Sequence, residues 1–571
     1  MKPKRPKVLE EKTNSRPILP VVMALANKLI NELGFTERIN EGIKATTNAW
    51  TVDAGRLLKA LVLSTFIDMR APLSHVSKRL SGFDIEYLLD KDGVKVEELN
   101  EFSIGRALER LGEADSDGIY EAMALEAVVK NEIPINRLHS DTTTVSFYGE
   151  YDIDKMDLTE AEKEEILKIE RGYNKDGRPE CKQVVVGQIV NEAGIPLTSK
   201  TMDGATSDIE WNKQALTYLD DIAGAGFSGI YVADSKLVFE EAIETMFNKE
   251  KPVQFISRMP ANFEHGMEAR KIKQAYREGG WEELGVCREG PQSTEYMCKS
   301  YIDKLYGNNV RLMVLESSSL KIKAWQGLEK KAEKAAIELK KLEKKEFAAE
   351  KDAKTEIDCF EKKWRCFDYG LTIEKEIQIK YPKGRRKAGC IGQEIIIYRI
   401  QRQYEALKLD ACTEYLQNES CIVIISNVTE GFTDKEILQI YKGQQIVENS
   451  FQLLKEPQLA SVIYLKKPER IKGLMMVLSF ALLIRAIIQF KMRQGLEAYN
   501  AENKGKPPRV GWNDKPLKNP TYKLLYEQAY NCRFTRENID TYSFYTPNEA
   551  AEMRVTILLQ LMGLTIYDLL D

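Results

Sequence analysis

The sequence predicts an α/β protein: an all-helical N-terminal segment, then a core of strands and helices that a long insert interrupts. Three observations predict it. Between Pro20 and Asn131 apolar residues recur every three or four positions, the spacing of amphipathic helices. From Ile133 the chain turns to short runs rich in Val, Ile and Thr, bounded by turn residues, which read as strands. Beyond residue 260 the composition is mixed and lysine-rich, and a core-like strand pattern returns only at 421–427. These changes set the expected boundaries: a basic flexible tail at 1–16, a helical domain at 17–131, the first part of the core at 132–259, an inserted domain at 260–420, the second part of the core at 421–500 and a helical C-terminal region at 501–571.

Residues 1–16 hold Lys2, Lys4, Arg5 and Lys7 with no apolar period and read as a mobile tail. Helices are expected at 21–33, 53–67, 72–80, 103–111 and 119–129. The pair 54–67 and 72–80, joined by a short link with Pro72 in a first-turn position, has the form of a helix-turn-helix in which Ser74, Ser77, Lys78 and Arg79 would face DNA. Two packed helices of an ordinary bundle give the same pattern. Strands follow at 135–147, 184–190, 195–202, 230–233 and 253–256, with Gly194 in a turn and helices at 208–222 and 237–248. Asp141 lies inside the first strand and Asp234 at the carboxyl end of the fourth. Where those strands are neighbours the two side chains can converge, since strand ends are where open α/β sheets place their ligands; a turn-capping Asp141 and a helix-capping Asp234 are the plain alternatives. This order of strands and helices is the ribonuclease-H-like arrangement.

Within the insert, 296–302 and 310–315 read as strands. The stretch 320–364 reads as helical, in one piece or as two antiparallel helices, with Leu328, Ala335, Leu339 and Leu342 as its seam. The longest apolar run, 474–484, is too short to span a bilayer and is followed by Arg485, so 473–490 reads as a buried helix and no membrane partner is expected. A Pro- and Lys-rich link at 505–520 leads to helices at the C-terminus.

The most telling stretch is 434–456. Thr433 followed by Glu436 is a capping-box start and Pro457 a stop, so one helix is expected there, with Gly443 its weak point. At helical spacing Tyr441, Gln444, Gln445, Glu448, Gln452 and Lys455 share a polar stripe beside an apolar stripe of Ile440, Val447, Phe451 and Leu454. A lone Glu on such a helix is commonly a solvated one, but the spacing of Tyr441, Glu448 and Lys455 resembles the Y-x2-R-x3-E-x6-K signature of the bacterial insertion-sequence DDE transposases of the IS-four superfamily, with Gln444 at the Arg position. Ile104, Gly105, Arg106, Ala107 and Leu108, within 100–113, are similar to the N-terminal region of the same branch.

Composition is ordinary for a soluble globular chain, 43% hydrophobic and 30% charged, so disorder is not the default. Nine cysteines without a C-x2-C pair point to reduced thiols in a cytoplasm, and three histidines speak against a zinc site. A net charge of −4 excludes nucleic-acid binding by the average field, so cations would have to be segregated. They are, in the N-terminal tail, in 320–345 and in Lys380, Lys383, Arg385, Arg386 and Lys387, each of which also reads as a solvated face.

The resemblance implies that Asp141, Asp234 and Glu448 are the three catalytic carboxylates, holding two Mg²⁺ or Mn²⁺ ions that serve in-line displacement at phosphorus, first as strand cleavage and then as strand transfer. It implies that Tyr441, Gln444 and Lys455 meet DNA; Lys78 and Arg79 would join them from the helix-turn-helix pattern, and Lys383, Arg385, Arg386 and Lys387 as a dense basic cluster. The partners would be double-stranded transposon ends and target DNA, in a homodimer with one active site per end, in a cytoplasmic, nucleoid-associated setting. A ribonuclease-H-fold nuclease without strand transfer and a catalytically silent DNA-binding derivative are the other readings of the same residues.

Overall fold

Short polar side chains start most of the N-terminal helices. The computed structural model describes residues 16–43, 51–67, 75–151, 165–224, 228–247, 252–286, 293–381, 392–454, 467–510, 515–538 and 541–570, together with 159, 163 and 465. A short strand, β1 (Ile18–Pro20), leads into α1 (Val21–Glu32), α2 (Phe35–Gly42), α3 (Ala54–Ser64), α4 (Val76–Leu80), α5 (Ile85–Leu89), α6 (Glu101–Glu113) and α7 (Ser116–Lys130). Asp53 accepts the Arg56 amide at the start of α3, Asn100 those of Phe102 and Ser103 at α6, and Asp115 that of Gly118 at α7. Residues 68–74 of the link between α3 and α4, Ser74 among them, lie outside the described residues; Ser77 and Lys78 fall on α4.

The core strands follow: β2 (Arg137–Phe147), β3 (Lys182–Asn191) and β4 (Pro196–Met202), then α8 (Asp208–Gly224) and β5 (Ile230–Ala233). β3 pairs antiparallel with β2 and β4, and β5 runs parallel to β2 on its other side, giving the order β4-β3-β2-β5 in a mixed α/β arrangement. The β3–β4 turn needs Gly194, at φ +85°. β3 is buried along nearly its whole length, as a strand covered on both faces must be. On one face the Trp211 ring of α8 lies against Gly187, where a Cβ would come within 2.4 Å of it, and its indole donates to Ser140 Oγ at 2.9 Å.

The chain divides by its contacts into two units, Met1–Ala233 with Lys442–Asp571, and Asp234–Tyr441. The second unit takes in the stretch 260–420. It contains α9 (Glu240–Phe247), β6 (Gln254–Arg258), α10 (Met267–Glu278), β7 (Glu282–Val286), β8 (Glu295–Leu305), β9 (Asn308–Ser317), α11 (Ser318–Leu342) and α12 (Glu350–Lys363). A hairpin of β10 (Leu371–Lys380) and β11 (Gln393–Arg402) precedes α13 (Leu409–Ser420), β12 (Cys421–Ser426) and α14 (Asp434–Lys442). Five strands neighbour one another in the order β6-β12-β9-β8-β7, all antiparallel. The helical stretch is two helices, and its expected seam of Leu328, Ala335, Leu339 and Leu342 is buried in a second small core with Phe347 and Phe360. The capping box forms, with Glu436 Oε2 accepting the Thr433 amide at 2.8 Å. Arg311, paired with the buried Asp434 at 2.5 Å, ties that helix start to β9.

One expectation fails in an informative way. The single helix over 434–456 is two helices, α14 and α15 (Gln445–Leu454), separated at Gly443–Gln444. The amides of Ile446 and Val447 turn back to the carbonyls of Gly443 and Gln444, so a new helix starts there. Gly443 is a weak helix former, and the Gln444 side chain is drawn into a bond outside the helix.

α16 (Pro468–Glu502) runs on for 35 residues with Pro at its first turn. It is long and apolar enough to cross a membrane, yet 89% of its most apolar window is buried inside the protein, so it is a core helix. It crosses α6 at glycines: a Cβ on Gly112 would lie 1.9 Å from the Glu469 carbonyl oxygen, and one on Gly473 2.2 Å from that of Leu108. Beside this contact Arg470 grips Glu109 with two nitrogens, at 2.9 and 2.8 Å. The C-terminal region is not helical throughout. Between α17 (Tyr522–Ala529) and α18 (Glu549–Gln560) it holds β13 (Arg533–Asn538) and β14 (Thr541–Tyr545), because β13 finds a distant partner in β1, with Leu19 opposite Phe534.

Candidate active site

Asp141 sits where β2 loses one of its neighbours. Pairing with β5 runs from Arg137 opposite Ile230 to His139 opposite Val232 and goes no further, whereas pairing with β3 continues, with Asp141 opposite Gln188. The strand edge therefore opens at Ser140, and the Gln444 amide closes it by donating to the Ser140 carbonyl at 2.6 Å. A second bond, from Ser450 Oγ to Gln188 Oε1 at 2.9 Å, fastens α15 to the residue beside Asp141. Gln188 in turn donates to Ser199, and Ser199 meets Ser479 of α16. One polar row, Asp141, Gln188 and Ser199, thus crosses three strands under α15 and α16.

Glu448 lies on α15, exposed, and accepts from Gln445 Nε2 at 2.6 Å. Asp234 is the residue that follows β5. Half-buried, it caps a short 3-10 turn by accepting the Lys236 amide at 3.0 Å, while Ser257 donates to its backbone carbonyl. Tyr441 is half-buried near the end of α14. Gln444 is half-buried and committed through its amide nitrogen to Ser140. Lys78 is exposed on α4, and Arg79 donates to the Ser64 carbonyl at the end of α3 at 3.1 Å. Lys455 and the cluster of Lys383, Arg385, Arg386 and Lys387 lie outside the described residues.

Around Asp141 are groups that residue patterns did not single out. Lys175 Nζ lies 3.5 Å from Asp141 Oδ1, 3.1 Å from Asp208 Oδ1, 3.0 Å from the Thr142 carbonyl and 2.6 Å from Thr142 Oγ1. The Thr142 amide donates to Asp141 Oδ1 at 2.7 Å, and the Thr142 hydroxyl to Asp208. Sequence offers only a weak signal for this. Asn174, Lys175, Asp176 and Gly177 read as a turn, and nothing in a turn says what it approaches. His139, two residues before Asp141, is buried; burial pushes its imidazole down to about 4, against a smaller upward pull from Gln444. Neither His139 Nδ1 nor Gln444 Oε1 completes a hydrogen bond.

Among the described residues no three His, Cys, Asp or Glu side chains gather as a metal-ligating group. The surroundings of Asp141 nonetheless suit a hard divalent cation in kind, because the atoms around Lys175 Nζ are two carboxylates, a hydroxyl and a carbonyl, oxygen donors already holding one positive charge.

Residues 19–125, α1 to most of α7, match a family described as a domain of unknown function, DUF4277. A search of curated proteins finds no match. Among solved structures, a piggyBac transposase synaptic complex with hairpin DNA, seen by cryo-EM, is distantly similar, at TM-score 0.36 and 10% identity over 90% of this chain and 80% of that one. A likeness of that degree fixes neither fold nor activity.

Proposed function

We propose that this protein is a DNA transposase of an insertion sequence, in which Asp141, Asp234 and Glu448 hold two Mg²⁺ or Mn²⁺ ions in a ribonuclease-H-like core that the second unit interrupts. The observation that carries the reading is the pairing of β2 with β5. Ile230 lies as many residues after Arg137, its parallel partner, as Asp234 lies after Asp141. Carried two residues past His139 and Val232, where the pairing ends, that register would set side by side the two carboxylates that the family resemblance and the strand order single out. The bonds from Gln444 and Ser450 to β2 and β3 support the third, since they fasten the helix of Glu448 over the strand pair that bears Asp141.

Bound ions would activate the attacking oxygen and stabilise the leaving oxygen of an in-line displacement at phosphorus. The chain's own residues do the positioning. The Thr142 amide fixes Asp141, the Lys236 amide fixes Asp234, and Gln445 orients Glu448. Because no three-ligand group is assembled among the described residues, the reading requires that ion binding itself complete it. Lys455, Tyr441 and the cations at 383–387 would hold the transposon end, since a chain of net charge −4 must bind DNA through local clusters. One active site per end implies a homodimer in the complex.

The test is cleavage of linear duplexes bearing the element's ends, with target plasmid and Mg²⁺ present. Asp141→Ala, Asp234→Ala and Glu448→Ala should each abolish cutting and joining while end binding persists, because ligands are lost and DNA-reading surfaces are kept. A variant that cuts at the wild-type rate removes its residue from the site. Cutting by the wild type without joined products would make the protein a nuclease instead.

A further inference from the structure

Lys175 Nζ lies 3.5 Å from Asp141 Oδ1, and the loop that carries it is firmly fixed. Its backbone amide donates to Thr144 Oγ1 on β2 at 3.1 Å. Asn174 beside it donates to Ser146 of β2 and to Gln183 of β3, at 3.0 and 2.9 Å, and its side-chain Oδ1 accepts the amides of Asp176 and Arg178. The loop is thus pinned to both strands, and the ammonium group is delivered to the carboxylates rather than left to sample solvent. The three charged side chains are between 23% and 26% exposed, so their interaction is only partly screened.

We propose that Lys175 is a positioning residue of the Asp141 site: its ammonium, shared between Asp141 and Asp208, stands in for a divalent cation at the Asp141 carboxylate, so that ion binding and departure of Lys175 are one exchange. The argument rests on the reading of Asp141 as an ion ligand. A divalent ion drawn to Asp141 meets the ammonium at the same oxygen, and like charges at such range repel strongly in a partly dry site. The lysine keeps the two carboxylates from repelling each other while no ion is bound, and Asp208, with the Thr142 hydroxyl on it, gives the displaced ammonium a place to stay.

The experiment is Mn²⁺ binding to the full-length protein by isothermal titration calorimetry, without DNA. Lys175→Met removes the competing charge and should tighten Mn²⁺ binding by about three- to tenfold. Lys175→Arg, which restores a cation, should return it to the wild-type value. A lysine that merely supports the fold would give the opposite sign, because a loosened site binds ions less well; Lys175→Gln, with thermal melts of all variants, covers the case in which the Met variant does not fold. Asp141→Asn should lose the Mn²⁺ site altogether. If Asp141→Asn weakens binding and Lys175→Met leaves it unchanged or weaker, the lysine proposal falls while Asp141 stands as a ligand. If Asp141→Asn binds Mn²⁺ as the wild type does, Asp141 is no ligand and both fall. Unchanged Mn²⁺ affinity with reduced binding to transposon ends would make Lys175 a phosphate contact, and that too overturns the proposal.

Discussion

Gln444→Ala tests how the helix of Glu448 is held. Gln444 donates to the Ser140 carbonyl at 2.6 Å, at the point where β2 has lost its pairing to β5, and Ser140 is buried. Removing the amide deletes one hydrogen bond and leaves a buried acceptor without that partner, together about 1–3 kcal/mol. The bond from Ser450 to Gln188 remains, so α15 should loosen rather than detach. The readout is amide hydrogen exchange over residues 445–454, where opening should become roughly 5- to 150-fold easier, with other segments unchanged. Gln444→Met, which keeps the volume and loses the polarity, should behave like the Ala variant. Single-turnover cleavage should fall in both while end binding holds, since Glu448 is less well placed. Exchange at wild-type levels in both variants would refute the idea that this bond anchors the helix.

Gly473→Ala brings a methyl group to 2.2 Å from the Leu108 carbonyl, so α6 and α16 must part; despite the better helix propensity of Ala, it should destabilise the first unit by about 1–3 kcal/mol or more, read from its melting midpoint. Glu109 feels burial raising its carboxyl, but hydrogen bonds from Lys467 and Arg470 hold it below its usual 4.5. Its contribution is therefore complete above that range and lost as pH falls through the lowered value, so Glu109→Gln should melt earlier than wild type at pH 7 and the gap should narrow progressively as pH falls below 4.5. Replacing Lys383, Arg385, Arg386 and Lys387 together by alanine should leave melting unchanged and weaken end binding strongly at moderate salt; wild-type affinity at equal ionic strength would show the cluster idle. Lys455→Ala should lower the slope of log affinity against log salt by about one, and an unchanged slope with lost cleavage would give that lysine a direct part in the chemistry.

Local chemistry carried much of the fold into the sequence. The Thr433–Glu436 capping box, the turn at Gly194 and the seam of α11 are each decided by neighbours within a few residues, and they form as expected. What escaped is decided at a distance. Locally only Gly443 weakens the helical period between Tyr441 and Glu448; the break itself goes with Gln444 reaching Ser140, which is 304 residues away in sequence. β13 and β14 carry strand-forming aromatics and pair with each other, but the third strand of their sheet, β1, comes from the far end of the chain. For the candidate site, a known signature pointed to Glu448 and the strand order to Asp141 and Asp234, whereas Lys175 reaches Asp141 and Asp208 only through the fold.

The burial of α16 bears on how the protein is made. Leu108 and Gly112 on α6 close against Gly473 and Glu469, and Glu109 against Arg470, contacts that span more than 350 residues of chain. The N-terminal helices therefore leave the ribosome long before their partner exists, with Ile104, Leu108 and Leu111 as uncovered apolar surface. At elongation rates of about 5–20 residues per second, that interval lasts on the order of half a minute. The 19–125 segment is thus a recurring sequence unit that cannot finish its own interior, and cut out as a fragment it should aggregate unless 468–502 is supplied alongside.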